Sequence, residues 1–275
     1  ILPQPLTPTE SSVCIGGMKS LLLFLLCLLP VQLFPEADKK GSELRVLSYN
    51  VWYGFTKQPE RKKKFLEYVR SLKPDIVSLQ ELNSYTEEKL AQDARAWGHP
   101  HSALLKTGGF PTGITSRFPI EEVSRTLEGY HHGLISCKTG GLRVYVVHLH
   151  PGHWEIRHRE VDLLTRELAK RNPAEKILLA GDFNTFSPRD REQYEKTPDI
   201  VPFFRRLDKR WKSNRNLRED KLDYTHLEKI EKSGFIDLVA GKRSRVLGTF
   251  PTKNRPGEDN GPSRRLDYFY ANRSL

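Results

Sequence analysis

The sequence contains little cysteine and a single methionine. Its three cysteines are Cys14, Cys27 and Cys137, and the methionine is Met18. So few cysteines exclude a disulfide framework, and the fold must therefore depend on a hydrophobic core. They also exclude a zinc site built from the usual spacings of cysteine and histidine.

Internal repeats, low-complexity tracts and long alternations of aromatic and basic residues are also absent from the sequence. Their absence excludes a repeat architecture and gives no sign of an extended groove for single-stranded nucleic acid. Hydrophobic residues make up 37% of the 275 residues and aromatic residues 10%, which is enough for a core and unlike a disordered protein. We expect one α/β domain over residues 44–275.

The chain is basic, with a formal net charge of +11 at pH 7. A positive surface attracts polyanions such as nucleic acid or anionic lipid headgroups. A soluble protein with an excess of solvated lysine and arginine is an equally good interpretation of the charge alone. No pattern in the sequence indicates an obligate protein partner.

A short apolar run follows the only methionine. Lys19 precedes a stretch rich in leucine over residues 21–29. This pattern predicts a secretory signal peptide over residues 18–37, with cleavage after Ala37, and hence a secreted protein. The alternative is an uncleaved segment that anchors the protein to a membrane. Residues 1–17 precede the methionine and are expected to be an upstream leader without structure.

Strand and helix patterns alternate after residue 44. Short apolar runs bounded by turn residues predict strands, and apolar residues at helical spacing predict helices. The predicted strands are 44–50, 76–79, 113–116, 144–147, 177–180 and 265–270, and the predicted helices are 59–72, 86–97 and 155–170. Residues 234–239 resume the apolar character of the core. We interpret the charged stretch 187–233 as a long surface excursion between core elements.

The most informative segment is 178–185, where an apolar strand leads to Gly181 and then to a carboxylate and a carboxamide. Asp182 and Asn184 are two residues apart, so in an extended chain both face one side while Phe183 faces the core. Gly181 allows a sharp turn or a close approach of the backbone. Such a pair at the end of a strand suits a metal-assisted site for phosphate.

Other predicted strands end in a functional polar group as well, namely Asn50, Glu81 and His148. Folds of the α/β class present their chemistry at one edge of the sheet, so converging ends would supply hard oxygen ligands and a histidine. Mg²⁺ takes one or two carboxylates, keeps waters and accepts phosphate oxygens. Each residue alone has another interpretation: Glu81 could cap a helix, Asn50 could form a turn, and His148 could be structural. The occurrence of all three at the ends of successive predicted strands favours a common functional site.

The motifs resemble those of the endonuclease/exonuclease/phosphatase family, which includes deoxyribonuclease-I-like nucleases, apurinic endonucleases, sphingomyelinases and inositol polyphosphate phosphatases. The matching segments are Ser48-Tyr49-Asn50, Leu79-Gln80-Glu81, Ser116-Arg117-Phe118-Pro119-Ile120, Val147-His148-Leu149, Gly181-Asp182-Phe183-Asn184 and Arg265-Leu266-Asp267-Tyr268. The resemblance implies a four-layer α/β/β/α sandwich. It also implies hydrolysis of phosphoesters with a divalent metal, Mg²⁺ or alternatively Mn²⁺.

The resemblance further implies a role for each matching residue. Glu81 would bind the metal, and Asn50 would support it directly or through water. Asp182 would orient or deprotonate the attacking water, and Asn184 would donate to a phosphate oxygen. His148 would donate to the phosphate or assist the leaving group.

Asp267 would be the carboxylate partner of a second histidine, and here the sequence departs from the family pattern. In the family this histidine follows one further strand, in a Ser-Asp-His-like motif, whereas the sequence stops at Leu275. We therefore expect an incomplete C-terminus that lacks the final core strand, with natural truncation as the alternative. Residues 38–275 alone are expected to be weakly active or inactive.

The leading function is a secreted, Mg²⁺-dependent phosphodiester hydrolase that acts by in-line attack of water on phosphate. The basic charge favours a nuclease, whose partner would be nucleic acid. The first alternative is a sphingomyelinase- or phospholipid-type phosphodiesterase, whose substrate carries a phospholipid headgroup. A binding module that has kept the fold but lost the chemistry is the second alternative, although retention of the whole residue set argues against it.

Overall fold

A computed structural model of the chain describes residues 12–15, 43–240, 248–252 and 260–275. The described residues form two β-sheets and six α-helices. The predicted signal peptide lies outside the described residues and stays a prediction. The expectation that residues 1–17 have no structure is wrong at Ser12–Ile15, which form a strand because their backbone pairs with residues 44–47; the rest of the predicted leader lies outside the described residues. None of the described helices has the length and apolar character that a membrane crossing requires.

The first sheet has five strands. They are β1 (Ser12–Ile15), β2 (Leu44–Asn50), β3 (Ile76–Gln80), β4 (His101–Leu104) and β5 (Gly113–Ser116), in the spatial order β1-β2-β3-β5-β4. Strands β2 and β3 are parallel, joined by helix α1 (Glu60–Leu72). Helix α2 (Glu87–Ala96) begins where the Thr86 hydroxyl accepts a hydrogen bond from the Lys89 amide, a typical N-cap.

The second sheet has six strands. They are β6 (Glu121–Thr126), β7 (Leu134–Thr139), β8 (Leu142–His148), β9 (Ile177–Asp182), β10 (Phe235–Asp237) and β11 (Asp267–Asn272), in the order β10-β11-β9-β8-β7-β6. Helix α3 (Trp154–Ala169) joins the parallel pair β8 and β9. Strands β1, β4, β6, β7 and β10 were not predicted as strands; β6 is almost fully exposed, so it lacks an apolar signal.

The two sheets pack face to face, with helices on both outer faces. Val46 and Ile76 of the first sheet share one hydrophobic cluster with Val144, Ala180 and Phe269 of the second. A second cluster joins the outer face of the first sheet to α1 and α2, and a third joins the outer face of the other sheet to α3 and to α6 (Thr225–Lys232). This is the α/β/β/α sandwich that the sequence implied.

The stretch 187–233 is more than the surface excursion inferred from its charge. It contains α4 (Arg191–Glu195), α5 (Ile200–Arg210) and α6. Tyr194, Ile200, Phe203 and Phe204 form a buried cluster with Phe186. The apolar residues are spaced so that each helix buries one face, and the dense charge on the opposite faces obscures this pattern in the sequence.

Candidate active site

The ends of four strands meet at one edge of the sandwich. In the second sheet, Asp182 is the register partner of His148 on β8 and of Asp267 on β11. In the first sheet, Asn50 is paired with Gln80, the residue before Glu81. The convergence expected from the sequence is therefore observed, because parallel strands in each sheet bring their carboxyl ends to the same side.

Asn50 joins the two sheets at this edge. Its Nδ2 donates to Glu81 Oε1 at 3.0 Å and to Asp182 Oδ2 at 3.2 Å. Its Oδ1 accepts a hydrogen bond from the Trp52 amide at 2.9 Å. One carboxamide therefore fixes two carboxylates from different sheets. The geometry of the site thus depends on the packing of the two sheets and not on a single loop.

Gly181 lets the strand that bears Asp182 lie against its neighbour. Gly181 has a φ of +150°, and a Cβ atom placed on it would lie 1.9 Å from the carbonyl oxygen of Val147 on β8. No other residue fits such an approach. The close backbone approach predicted at this glycine is confirmed.

The backbone around the site is strained. Glu81 has a φ of 58° and Asn184 a φ of 49°, and Trp52, Tyr53 and Phe55 are also left-handed. Such conformations cost free energy and persist only where surrounding contacts hold them, often at functional sites. Here the Tyr53 amide donates to Glu81 Oε2 at 3.0 Å, and the Gly54 amide donates to the Glu81 carbonyl oxygen at 2.6 Å.

The carboxylates repel one another. Burial, reinforced by the neighbouring Asp267, raises the pKa of Asp182 well above its usual range, although hydrogen bonds from Asn50 and Asn184 oppose this shift. Burial also raises the pKa of Asp267 to about 6. A bound cation would relieve this repulsion, because an opposite charge favours the ionised form.

The donor set fits Mg²⁺ better than a metal that needs three protein ligands. Among the described residues, no group of three or more histidine, cysteine, aspartate or glutamate side chains is arranged to hold a metal ion. Mg²⁺ needs only one or two carboxylates, since it keeps several waters. Glu81 would supply the carboxylate ligand, and Asn50, whose Nδ2 donates to Glu81 Oε1, would hold that carboxylate in place.

Asn184 and Asp182 are positioned together after β9. The Asn184 amide donates to Asp182 Oδ1 at 3.0 Å, and Asn184 Nδ2 donates to the Leu149 carbonyl oxygen at 3.0 Å. A carboxamide nitrogen carries two protons, so the second proton remains for a phosphate oxygen. Both residues therefore lie at the same edge. The extended conformation assumed from their spacing does not hold at Asn184, because the strand ends at Asp182 and Asn184 has a φ of 49°.

His148 is buried and lies against a second histidine. Its ring stacks on that of His132 with centroids 3.9 Å apart. Burial, with smaller effects from His131 and Lys106, lowers the pKa of His148 to about 3. The imidazole is therefore neutral at neutral pH, a form that can donate one N–H to a phosphate but does not supply an imidazolium proton to a leaving group.

Sequence reasoning missed the histidines that surround His148. His131 and His150 lie with ring centroids 4.2 Å apart, and His132 is buried. The His131-His132 doublet and the alternation of His148 with His150 were the available signals. The sequence could not pair them, because the doublet follows β6, whereas His148 ends β8 and His150 lies in the loop after it.

Glu160 on α3 organises these histidines and was also missed. It is fully buried, and its two carboxylate oxygens accept hydrogen bonds from the His131 and His150 amides at 2.8 Å each. Arg157, one turn earlier, donates to the His150 carbonyl oxygen at 3.0 Å. Burial raises the pKa of Glu160 to about 7. A glutamate on a helix of mixed polarity gives no sequence signal for this role.

Comparisons with known proteins agree with this architecture. The family model described as Endonuclease/Exonuclease/phosphatase family matches residues 47–275. No curated protein matches the sequence. Solved structures similar to this chain include an AP endonuclease from Archaeoglobus fulgidus, with a TM-score of 0.61 and 20% identity over 83% of this chain and 86% of that one.

Two further similar structures contain DNA. The 3' phosphatase NExo from Neisseria, bound to a product DNA hairpin, has a TM-score of 0.57 and 16% identity over 84% of this chain and 87% of that one. TDP2 from D. rerio, complexed with a single-strand DNA product, has a TM-score of 0.52 and 16% identity over 83% of each chain. At these identities the similarity shows the fold.

Proposed function

This chain belongs to the endonuclease/exonuclease/phosphatase family, and we propose that it is a divalent-metal-dependent phosphodiester hydrolase acting on nucleic acid. The observation that carries the proposal is the bridge that Asn50 forms between Glu81 and Asp182. It fixes a hard oxygen ligand set and a candidate base at one edge of the sandwich. A module without catalysis has no physical need for this arrangement.

Each residue of the site can be given a task from its contacts. Glu81 would hold the cation with support from Asn50, and the bound cation would neutralise the phosphate and polarise its ester oxygen. Asp182 accepts a hydrogen bond from the attacking water and orients it. Asn184 donates its remaining N–H to a phosphate oxygen, where charge builds in the transition state.

His148 contributes as a neutral donor. Its depressed pKa keeps the imidazole uncharged, so it stabilises a phosphate oxygen by hydrogen bonding. Asp267 lies beside Asp182 across the β9–β11 pair. The second histidine that the family resemblance implies for Asp267 stays a prediction.

Two observations support nucleic acid as the substrate class. The net charge of +11 favours binding of a polyanion. NExo and TDP2, which share the fold, are bound to DNA in the structures compared above. The test is a panel of single-stranded DNA, duplex DNA, RNA and sphingomyelin, each incubated with Mg²⁺, with Mn²⁺ and with chelator. Because residues 38–275 alone are expected to be weakly active or inactive, this panel and the turnover measurements below use protein that includes the C-terminal segment with the predicted second histidine. We expect metal-dependent cleavage of a nucleic acid; cleavage of sphingomyelin alone would contradict the proposal.

Asp182→Asn tests the proposed site. We expect kcat to fall by about 100-fold or more, because the water loses its anionic acceptor. Stability should stay the same or rise, since the substitution removes a buried charge beside Asp267 at the cost of one hydrogen bond of 3.2 Å. Turnover and thermal midpoint are measured on both proteins.

The matched control for Asp182→Asn is Asp199→Asn, at an exposed position before α5 that makes no side-chain cap. It removes the same charge without touching the site. Wild-type turnover in Asp182→Asn would show that the role assigned to Asp182 is wrong. An equal loss of turnover in Asp182→Asn and Asp199→Asn would indicate that the change in net charge, and not a catalytic role of Asp182, lowers the activity.

A further inference from the structure

A continuous row of aromatic rings borders the active site. Along this row the ring centroids lie 6.1 Å apart for Trp52 and Tyr53, 5.1 Å for Tyr53 and Phe110, 5.5 Å for Phe110 and His132, and 3.9 Å for His132 and His148. We call these five residues the aromatic row. It begins beside Glu81, the proposed metal ligand, and ends at His148, the proposed phosphate donor.

The two turns that carry the row are fastened to the segment around Glu81. The strained turn 52–55 is held by hydrogen bonds from the Tyr53 and Gly54 amides to Glu81. The turn that carries Phe110 is held by the Leu82 amide, which donates to the Pro111 carbonyl oxygen at 2.9 Å. Asn83 Nδ2 adds a hydrogen bond of 2.7 Å to the Gly109 carbonyl oxygen. The rings are therefore fixed relative to the metal ligand.

The row is buried at one end and open at the other. His132 and His148 are buried, whereas Trp52, Tyr53 and Phe110 are half-buried. Trp52, Tyr53 and Phe110 therefore keep part of their surface open to solvent at the end of the row beside Glu81. Half-buried rings beside a phosphate site are typical of surfaces on which a nucleobase stacks.

Lysines place positive charge at both ends of the row. The Lys57 ammonium group lies 5.4 Å from the centroid of the Tyr53 ring. Lys106 contributes positive potential at the other end, where it helps to depress the pKa of His148. These charges attract a phosphate chain. Aromatic rings also bind quaternary ammonium groups such as choline, and the Glu81 carboxylate beside the row favours such a cation, so the experiment includes phosphocholine as a competitor.

We propose that the aromatic row is a binding site for the nucleobase next to the scissile phosphate, with Phe110 and Trp52 as stacking platforms. The inference rests on the proposed function and makes it more specific. The substrate is then a strand with an unpaired or accessible base next to the cleaved bond. A bare phosphodiester or a phospholipid headgroup would leave the rings unfilled.

The experiment compares two ligands of equal backbone charge, a short oligothymidylate and an abasic oligomer of the same length. Dissociation constants are measured in chelator, so binding is separated from cleavage. We expect wild-type protein to bind the abasic oligomer about 5- to 100-fold more weakly. Phe110→Leu and Trp52→Leu should lose a similar factor for oligothymidylate and little for the abasic oligomer.

Phe118→Leu is the matched control. Phe118 is also half-buried and also carries a cation over its ring, with Arg117 5.1 Å from the centroid. It packs near Gly140 before β8, at the sheet edge opposite to the site. We expect wild-type affinity for both oligomers, and circular dichroism checks that all three variants fold.

Equal affinity of wild-type protein for the two oligomers would overturn the inference, even if the protein cleaves DNA. Phosphocholine that displaces oligothymidylate from wild-type protein but not from Phe110→Leu would overturn it in favour of a lipid headgroup. Base-dependent binding without metal-dependent cleavage of any nucleic acid would instead contradict the proposed function. The comparison of the two oligomers is made on wild-type protein, so its result does not depend on whether a variant folds.

Discussion

At the scale of single residues, burial suppresses the ordinary ionisation of the site. The pKa of Asp182 is raised by burial and by Asp267, while the pKa of His148 is lowered to about 3 by burial. Both groups therefore tend toward their neutral forms until a cation or a phosphate is present. Substrate and metal would then restore charges that the fold disfavours, which couples binding to the chemistry of the site.

His132 provides a prediction about acid stability. Burial, followed by the influence of His148, lowers its pKa far below 6.5. An imidazole that stays neutral in the folded protein contributes stability above its unfolded pKa, and this contribution is lost as the pH falls. Below pH 6.5 the loss is about 1.4 kcal/mol per pH unit for one such group. His132→Phe keeps an aromatic ring between Phe110 and His148 and should remove this slope.

The measurement is the free energy of unfolding by denaturant at about pH 6.5 and about pH 4.5. The control is His101→Phe, at a half-buried position that begins β4, away from the aromatic row. A His132→Phe protein with the pH dependence of wild type would show that His132 titrates normally.

At the scale of elements, α3 does more than connect two parallel strands. Through Glu160 it holds the connection between β6 and β7 against the loop after β8. The histidines on both loops take their positions from this carboxylate. Helix position and site geometry are therefore linked through one buried side chain.

Replacement of Glu160 by leucine tests this link. The His131 and His150 amides would lose their acceptors, and each buried N–H without a partner costs about 1–3 kcal/mol. We expect Glu160→Leu to lower the free energy of unfolding by about 2–6 kcal/mol and to reduce turnover. Both quantities are measured near pH 8.

Glu167→Leu is the control on the same helix. Glu167 forms a surface ion pair with Arg171, and such pairs contribute about 0–1 kcal/mol. Similar losses in the two variants would mean that the buried hydrogen bonds of Glu160 have no special importance.

At the scale of the whole molecule, Arg265 joins the helical stretch 187–233 to the second sheet. Its Nε donates to Asp190 Oδ2 at 2.8 Å, and its terminal nitrogen donates to Asp237 Oδ2 at 2.6 Å. All three side chains are buried. Asp190 lies just before α4 and Asp237 ends β10, so this arginine connects segments that are distant in the sequence.

Arg265→Met should therefore destabilise the protein as a whole. Removing one partner leaves two buried carboxylates without their counter-charge, which costs about 3–5 kcal/mol. Chemical denaturation measures the change. Arg205→Met removes an exposed pair with Asp220 and should cost no more than about 1 kcal/mol. A loss for Arg265→Met as small as that of the control would contradict the structural role.

The sequence determined the elements that local patterns can specify. Apolar runs and turn residues act over a few positions, so their patterns can be recognised in the sequence. They predicted the strand before Gly181, the spacing of Asp182 and Asn184, and the polar residues Asn50 and Glu81 at the ends of strands. These residues, together with the family resemblance, were sufficient to predict the sandwich and the candidate site. Strand β6 escaped prediction because an exposed edge strand carries no apolar alternation.

The tertiary structure decided what depends on contacts between distant residues. Three contacts of the site join segments that are far apart in the chain. They are the hydrogen bond from Asn50 to Asp182, the stacking of His132 on His148, and the hydrogen bonds that Glu160 accepts from the His131 and His150 amides. The aromatic row likewise assembles rings from three loops and the end of β8, although the sequence shows no aromatic tract. The physical reason is that burial and strand register, which set pKa values and ring contacts, exist only once the two sheets have packed together.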